Sequence, residues 1–294
     1  MIAACFVFFN FAMNEYGLFG DVSGRSIKIW HNDRTSKYLF SFNYIPSNFD
    51  GILMGPSVSA NIDVKRLSGY KFYNISLGGG NVTELKYIAD NAINRGKIKV
   101  LIICLYPYMT KDHGRKTTYI DPREFWGALG SRELVNLYIN KIFIQHGMRP
   151  DFPDDHGTWL VKGPGLVTAP KAATRPFQER RKKPEDMLHI DETAYHELYE
   201  IVQSARNKGI RIFGYYYPFQ SGALDAARFH IYQKRINCLF DKRDMIWDLN
   251  TDEYMFFKMD RTNYTATGHL SMKGNEFILE NIQGKIDRFF QNLE

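Results

Sequence analysis

Short apolar runs recur along this chain, each closed by a turn signal and often followed by positions spaced as on a helix. Ile52, Leu53 and Met54 form the first, the pattern of a strand buried on both faces. Gly55-Pro56-Ser57 breaks it, because Gly frees the backbone and Pro cannot donate to a ladder. Asn61 to Leu67 can then open a helix. Lys71 to Ile75 reads as a second strand and runs into Ser76-Leu77-Gly78-Gly79-Gly80. Val82 to Asn94 follows, with Leu85, Ile88, Ala89, Ala92 and Ile93 at helical spacing. Lys99 to Leu105 carries the clearest strand pattern of the chain and leads into the stiff turn Tyr106-Pro107-Tyr108. The order β-α-β-α-β predicts a parallel, doubly wound sheet.

The rhythm then breaks between about residues 110 and 189. Ser131 to His146 reads as a helix with Leu134, Leu137, Tyr138, Ile142 and Phe143 along one face. Gly147 to Asp186 is rich in Pro, Gly and charge. A loop this long inside a domain is usually functional or disordered, and it reads as an insertion able to cap a substrate cleft. The α/β pattern returns with a helix over Asp191 to Asn207, for which Thr193 is a candidate cap and Leu198, Ile201, Val202 and Ala205 the buried face. Ile210 to Tyr217 is a fourth strand, Leu224 to Phe240 a helix, Met245 to Leu249 a fifth strand, and Glu276 to Phe290 a closing amphipathic helix. The expected fold is flavodoxin-like, a three-layer α/β/α domain over residues 49–294. It has a parallel sheet of about five strands and a long insertion after the third. Residues 1–48 are an apolar N-terminal segment and a lead-in, with Gly17 to Asn48 reading as irregular structure and short strands.

With 294 residues, 44% of them hydrophobic, the chain can build one large core or two small ones. Its 22 Phe and 18 Tyr imply much aromatic contact inside that core. The formal net charge of +6 owes much to one run, Arg175, Arg180, Arg181, Lys182 and Lys183, which reads as a solvated loop. No zinc finger, RNA-recognition signature or basic helix with interleaved aromatics accompanies it, so the sequence gives no support for binding nucleic acid. Cys5, Cys104 and Cys238 form neither a CxxC pair nor a zinc spacing, so no metal site and no disulfide scaffold is expected. Ile2 to Met13 is apolar apart from Asn10, yet shorter than the roughly 20 residues of a membrane span. It lacks a basic n-region and a cleavage site. It reads as part of a membrane anchor, as a signal-like segment, or as an apolar element packed on the domain.

Ser57 stands where a parallel strand ends, at the edge where open α/β sheets take ligands. It reads either as a small turn residue or as a nucleophile near backbone N–H groups able to hold an oxyanion. The glycine run at 78–80 either brings amides close to a ligand or is a flexible connection. It matches neither the P-loop nor the dinucleotide glycine pattern. Far along the chain, Asn263 to Asn275 (NYTATGHLSMKGN) sets His269 in a loop just before the closing helix, as a surface residue or as a base.

GxS after the first clear strand, together with HLSxxG before an apolar C-terminal helix, resembles the SGNH/GDSL hydrolase superfamily. The closest likeness is to its cell-surface-polysaccharide branch, whose serine motif reads like GSS. The resemblance spans about Phe49 to Phe290, with the middle insertion unmatched. Carried over, Ser57 matches the nucleophile and His269 its general base. Gly79 falls nearest the second-block glycine whose N–H helps hold the oxyanion, with Gly78 and Gly80 as alternative registers and the N–H of Ser57 as another donor. The asparagine of the family's third block has no counterpart at Leu105-Tyr106-Pro107-Tyr108. The acid normally three residues before the histidine would fall on Ala266. Asp260, then Asp248, are the candidates to orient His269, unless a Ser-His dyad is supported by a backbone carbonyl.

The resemblance implies a serine ester hydrolase or O-acyltransferase acting on an acylated cell-surface carbohydrate. An acyl-enzyme would form on Ser57, with no metal or organic cofactor. It implies a location outside the cytoplasm, with membrane association through the N-terminal segment. The departures from the family pattern keep open a catalytically inactive carbohydrate-binding or assembly protein in envelope polysaccharide production. A flavodoxin-like phosphate or nucleotide binder shares the strand order but lacks a phosphate motif.

Overall fold

The computed structural model of the chain describes residues 2–111, 120–148, 154–159, 188–265 and 268–291. Gly51–Met54 (β1), Phe72–Asn74 (β2), Val100–Leu105 (β3), Arg211–Tyr216 (β4) and Met245–Asp248 (β5) lie side by side in one sheet. Their order is β2-β1-β3-β4-β5, parallel throughout. All five expected strands are present, and with helices around the sheet the architecture is a three-layer α/β fold of flavodoxin-like strand order. β3 is buried at every position, which is why its sequence is apolar without alternation. The order reverses between β1 and β3. Their C-terminal ends therefore flank the crevice where such sheets take ligands.

In chain order the helices are Ile2–Met13 (α1), Asp33–Phe40 (α2), Tyr44–Asn48 (α3), Val82–Arg95 (α4), Glu124–Gly127 (α5), Arg132–Gln145 (α6), Glu192–Asn207 (α7), Ala226–Asn237 (α8), Met255–Met259 (α9) and Met272–Gln291 (α10). Side-chain caps satisfy open N-terminal amides on α2, α4, α6, α7 and α8. The Asn81 side chain accepts from Glu84 N at 3.1 Å on α4, and Asp225 accepts from Arg228 N at 3.1 Å on α8. On α7 the cap is Asp191, accepting from Ala194 N at 2.9 Å. Thr193, the expected cap, already lies inside the first turn. α4, α7 and α8 are joined by Lys86 to Glu200 (3.3 Å) and Arg235 to Glu192 (2.8 Å). α10 is tied instead to the segment after β1, where Arg66 meets Glu276, and Lys285 lies over the Trp247 ring of β5.

Several local expectations are corrected. The stretch 17–48 is not strand-like but carries α2 and α3. The polar start of α2 hides it in the sequence, but Asn32 caps it and Tyr38, Leu39 and Phe40 are buried. No α-helix opens over Asn61 to Leu67. Two 3₁₀ turns, Ser57–Ser59 and Val64–Arg66, stand on either side of Asn61 instead. The carbonyls that such a helix would engage are taken by Asn74, whose Nδ2 donates to Ser59 O (2.9 Å), Ala60 O (3.4 Å) and Ile62 O (3.3 Å). On α6, Ile142 is exposed and Asn140 is buried, because Asn140 meets the His31 ring at 2.7 Å.

The described part of the insertion does two things. α5 and α6 dock beside α1, where Asn10 donates to Leu129 O (3.0 Å) and accepts from the Tyr138 hydroxyl (2.9 Å). Residues 154–159 cover the free edge of β2, His156 O accepting from Asn74 N at 2.7 Å, which protects that edge from pairing. They also reach the segment after Ser57, since Trp159 N donates to Ala60 O at 2.8 Å. The charge run Arg175 to Lys183 and the expected capping loop lie largely outside the described residues.

Candidate active site

Ser57 opens its 3₁₀ turn directly beyond β1 and is the one half-buried residue in the otherwise buried run from Gly51 to Ala60. The turn is held from below. Ser59 Oγ donates to Pro56 O at 2.9 Å and lies 2.9 Å from Ser76 Oγ. Asn74 grips the following carbonyls with its Nδ2 and accepts from Ser76 N with its Oδ1 at 3.0 Å. Gly55 is needed for this closeness, because a side-chain carbon there would lie 2.6 Å from Cys104 Cβ. Burial pushes the Cys104 thiol up to about 12, so it stays neutral and serves as packing.

The histidine loop is built by the motif around it. Tyr264 and Leu270 form a β-bridge at its base, and Leu270 is buried. Ser271 Oγ donates to Thr262 O (2.7 Å) and accepts from Gly274 N (3.2 Å), closing the start of α10. Gly274 must lack a side chain, since a Cβ there would collide with Asn263 O. Tyr217, next after β4, donates its hydroxyl to Gly268 O at 2.9 Å, which pins the loop to the C-terminal edge of the sheet. Asn61 donates to Leu270 O at 3.3 Å, joining the loop to the segment after Ser57.

These two constructions bring His269 Nε2 to 3.0 Å from Ser57 Oγ, across 212 positions of sequence. This is hydrogen-bond distance, within the reach required of a nucleophile and its base. With the ring proton on Nδ1, Nε2 accepts the serine proton.

The candidate acids are engaged elsewhere. Asp260 accepts from Lys273 Nζ (2.6 Å), Thr262 Oγ1 (2.7 Å) and Thr262 N (2.9 Å), capping the 3₁₀ turn Arg261–Asn263. The Lys273 bond and the two Thr262 bonds hold its carboxyl down at about 2. Asp248 accepts from Gln233 Nε2 (2.8 Å) and Asn250 N (2.8 Å). Ala266 lies outside the described residues.

The glycine run forms a tight turn in which Gly80 N donates to Leu77 O at 3.1 Å and Gly79 has φ +62°. The N–H of Gly80 is therefore used inside the turn, which leaves Gly79 ahead of Gly80 as the donor register. Leu77 N donates to Gly55 O at 3.1 Å, so this loop is bonded directly to the residue two before Ser57. A side chain on Gly79 would come 3.9 Å from the Tyr108 hydroxyl. Tyr108 thus stands beside the loop from the end of β3. Tyr106 stacks on Phe219 at 5.2 Å and meets Tyr217 edge-on at 5.3 Å, forming an aromatic wall at the same sheet edge.

Another cluster, Asp154, Asp155 and His156, groups metal-ligand types, but Lys65 Nζ already sits 3.1 Å from Asp154 and 2.5 Å from Asp155. A cavity of about 370 Å³ lined by Asp50, Lys65, Tyr70, Lys71, Phe72 and His156 lies at the start of β1 and β2, away from the Ser57 end. Sequence reasoning missed Asn74, Asn61 and Tyr108, and also Arg34 and Lys37 of α2, whose Arg34 Nη2 and Lys37 Nζ donate to Gly78 O (3.0 Å) and Ser76 O (2.6 Å). Asn74, a polar residue inside an apolar strand, was the one usable signal. No protein-family model matches this chain, and no curated protein sequence matches it.

Proposed function

We propose that this chain is an SGNH-type serine ester hydrolase or O-acyltransferase, with an acylated carbohydrate as its substrate class. The observation that carries the reading is the 3.0 Å approach of His269 Nε2 to Ser57 Oγ at the C-terminal sheet edge. Ser57 Oγ attacks the acyl carbon while His269 Nε2 takes its proton. The carbonyl oxygen becomes an oxyanion, held by the N–H groups of Gly79 and Ser57. The imidazolium returns the proton to the departing alkoxide, leaving an ester on Ser57. Water or a sugar hydroxyl then attacks that ester while His269 takes its proton; the bond to Ser57 breaks, and the imidazolium returns the proton to Ser57 Oγ.

The test is fluorophosphonate labelling of the purified protein. Ser57 should take the label, and Ser57→Ala should take none. A folded wild type that stays unlabelled would favour the second reading, a non-catalytic carbohydrate-binding or assembly protein of envelope polysaccharide production. What favours that reading is the engagement of Asp260 by Lys273 and of Asp248 by Gln233 and Asn250. For location, the proposal is extracytoplasmic, with α1 on a membrane surface. Among the described residues no helix is long and apolar enough to cross a membrane, yet α1 exposes Phe8 and Phe11.

A further inference from the structure

The loop that carries Gly79 is held from behind by charge. Arg34 and Lys37 stand one turn apart on α2. Lys37 is fully buried, pairs with Asp33 at 3.1 Å and donates to Ser76 O. Arg34 donates from Nη2 to Gly78 O, while its Nε lies 2.6 Å from Glu84 Oε1. Glu84 is itself buried, in the first turn of α4, directly after the glycine run. Burial pushes the Glu84 carboxyl up, and the Arg34 guanidinium opposes that.

The geometry has a chemical consequence. Gly78 C=O and Gly79 N–H belong to one peptide unit, and a trans peptide is planar, with the two groups pointing opposite ways. Whatever grips Gly78 O therefore also aims Gly79 N–H. A charged donor on the oxygen draws electron density through the peptide and makes its N–H a stronger donor. Gly79 φ lies in the left-handed region, so the turn needs glycine there, and glycine supplies no stiffness of its own. Stiffness comes from outside, through the guanidinium that Glu84 holds. Buried ion pairs add little stability over apolar replacements of similar shape, so stability alone does not account for this one.

We infer that Arg34 is a positioning residue for the oxyanion donor. Its guanidinium, locked by Glu84, orients and polarises the Gly78–Gly79 peptide so that Gly79 N–H meets the negative oxygen formed on the acyl carbonyl. Arg34 itself touches no reacting atom. The inference rests on the serine-hydrolase reading, and the test separates the two.

The experiment compares wild type with Arg34→Met/Glu84→Gln, which removes both charges and strands neither, and with Arg34→Lys, which keeps a charge beside Glu84 without the fork that also reaches Gly78 O. Three quantities are read: the rate of fluorophosphonate labelling at Ser57, kcat and KM for p-nitrophenyl acetate, and the amide shift of Gly79 in protein labelled with ¹⁵N-glycine. Loss of a whole oxyanion donor costs about 10²–10³ in kcat, so loss of its support should cost roughly 10–10²-fold, with KM within about twofold. The Gly79 amide proton should move upfield in both variants, with Arg34→Lys also slower than wild type. A wild type that labels, with either folded variant at the wild-type rate and with the wild-type Gly79 shift, overturns the role of Arg34 and leaves the hydrolase reading standing. A wild type that neither labels nor turns over the ester removes the hydrolase reading and this role with it.

Discussion

At the scale of single residues, the site rests on two side chains and on what surrounds them. Ser57→Ala should abolish labelling, and His269→Ala should slow it by about 10³-fold or more, since a hydroxyl without its base is a poor nucleophile. Both proteins should unfold within about 0.5 kcal/mol of wild type, because neither position is a core residue. Urea titration beside the labelling assay checks both statements. Asp260 behaves differently. Its carboxylate serves Lys273 and its own turn, so Asp260→Asn should change the labelling rate by no more than about twofold. Its effect belongs to stability. The folded carboxyl is held down at about 2, below the unfolded value near ~3.9, so its contribution is fully present above the unfolded value and is lost as pH falls through the folded one. The Tm gap between wild type and Asp260→Asn should be widest near neutrality and close between about pH 4 and 2. A gap that widens in acid would contradict the assignment.

At the scale of elements, the Ser57 turn and the end of β2 form one unit. Asn74 is fully buried and supplies donors to three carbonyls and an acceptor to Ser76 N. Asn74→Ala strands Ser76 N in the core, while Ser59 O, Ala60 O and Ile62 O each keep a second donor, from Ile62 N, Trp159 N and Thr158 Oγ1. An unsatisfied buried group costs about 1–3 kcal/mol, so the variant should lose about that much in urea unfolding. Labelling of the folded fraction should slow as well, because Ser57 leads the segment that Asn74 holds. Unchanged stability would show that water replaces the amide. The histidine loop is a second unit, in which Ser271 and Gly274 shape the start of α10 and His269, the residue before Leu270, reaches Ser57. The HLSxxG pattern thus has a local architectural meaning in this chain: a buried anchor, a cap and a close backbone approach around one projecting imidazole.

At the scale of the whole molecule, α1 is the feature that the core does not explain. Asn10 anchors it to Leu129 and Tyr138, while Phe8 is 73% exposed and Phe11 50% exposed. α6 adds Val135, Ile139 and Ile142, all exposed. Burying a Phe side chain is worth about 1.5–3 kcal/mol. If α1 lies on a bilayer, wild type should float with phospholipid vesicles, and Phe8→Asp/Phe11→Asp should partition about 10²-fold less or worse. Wild type remaining with the unbound fraction would remove the membrane assignment without touching the site.

The sequence by itself determined the five strands, the long helices α4, α6, α7, α8 and α10, and the candidacy of Ser57 and His269. These are local signals: apolar runs bounded by Gly and Pro, apolar positions at three-and-four spacing, and two short motifs. It could not determine what depends on distant partners. α2 stays hidden because its polar first half is explained only by Ser76 and Gly78 across the fold. The segment after Ser57 looks helical until Asn74 takes its carbonyls. Asp260 looks free to orient His269 until Lys273, the second residue of α10, pairs with it. The 3.0 Å meeting of Ser57 and His269 has no local signature at all. It is decided by strand order, which brings the ends of β1 and β4 to one edge, and by the hydrogen bonds that pin each loop there.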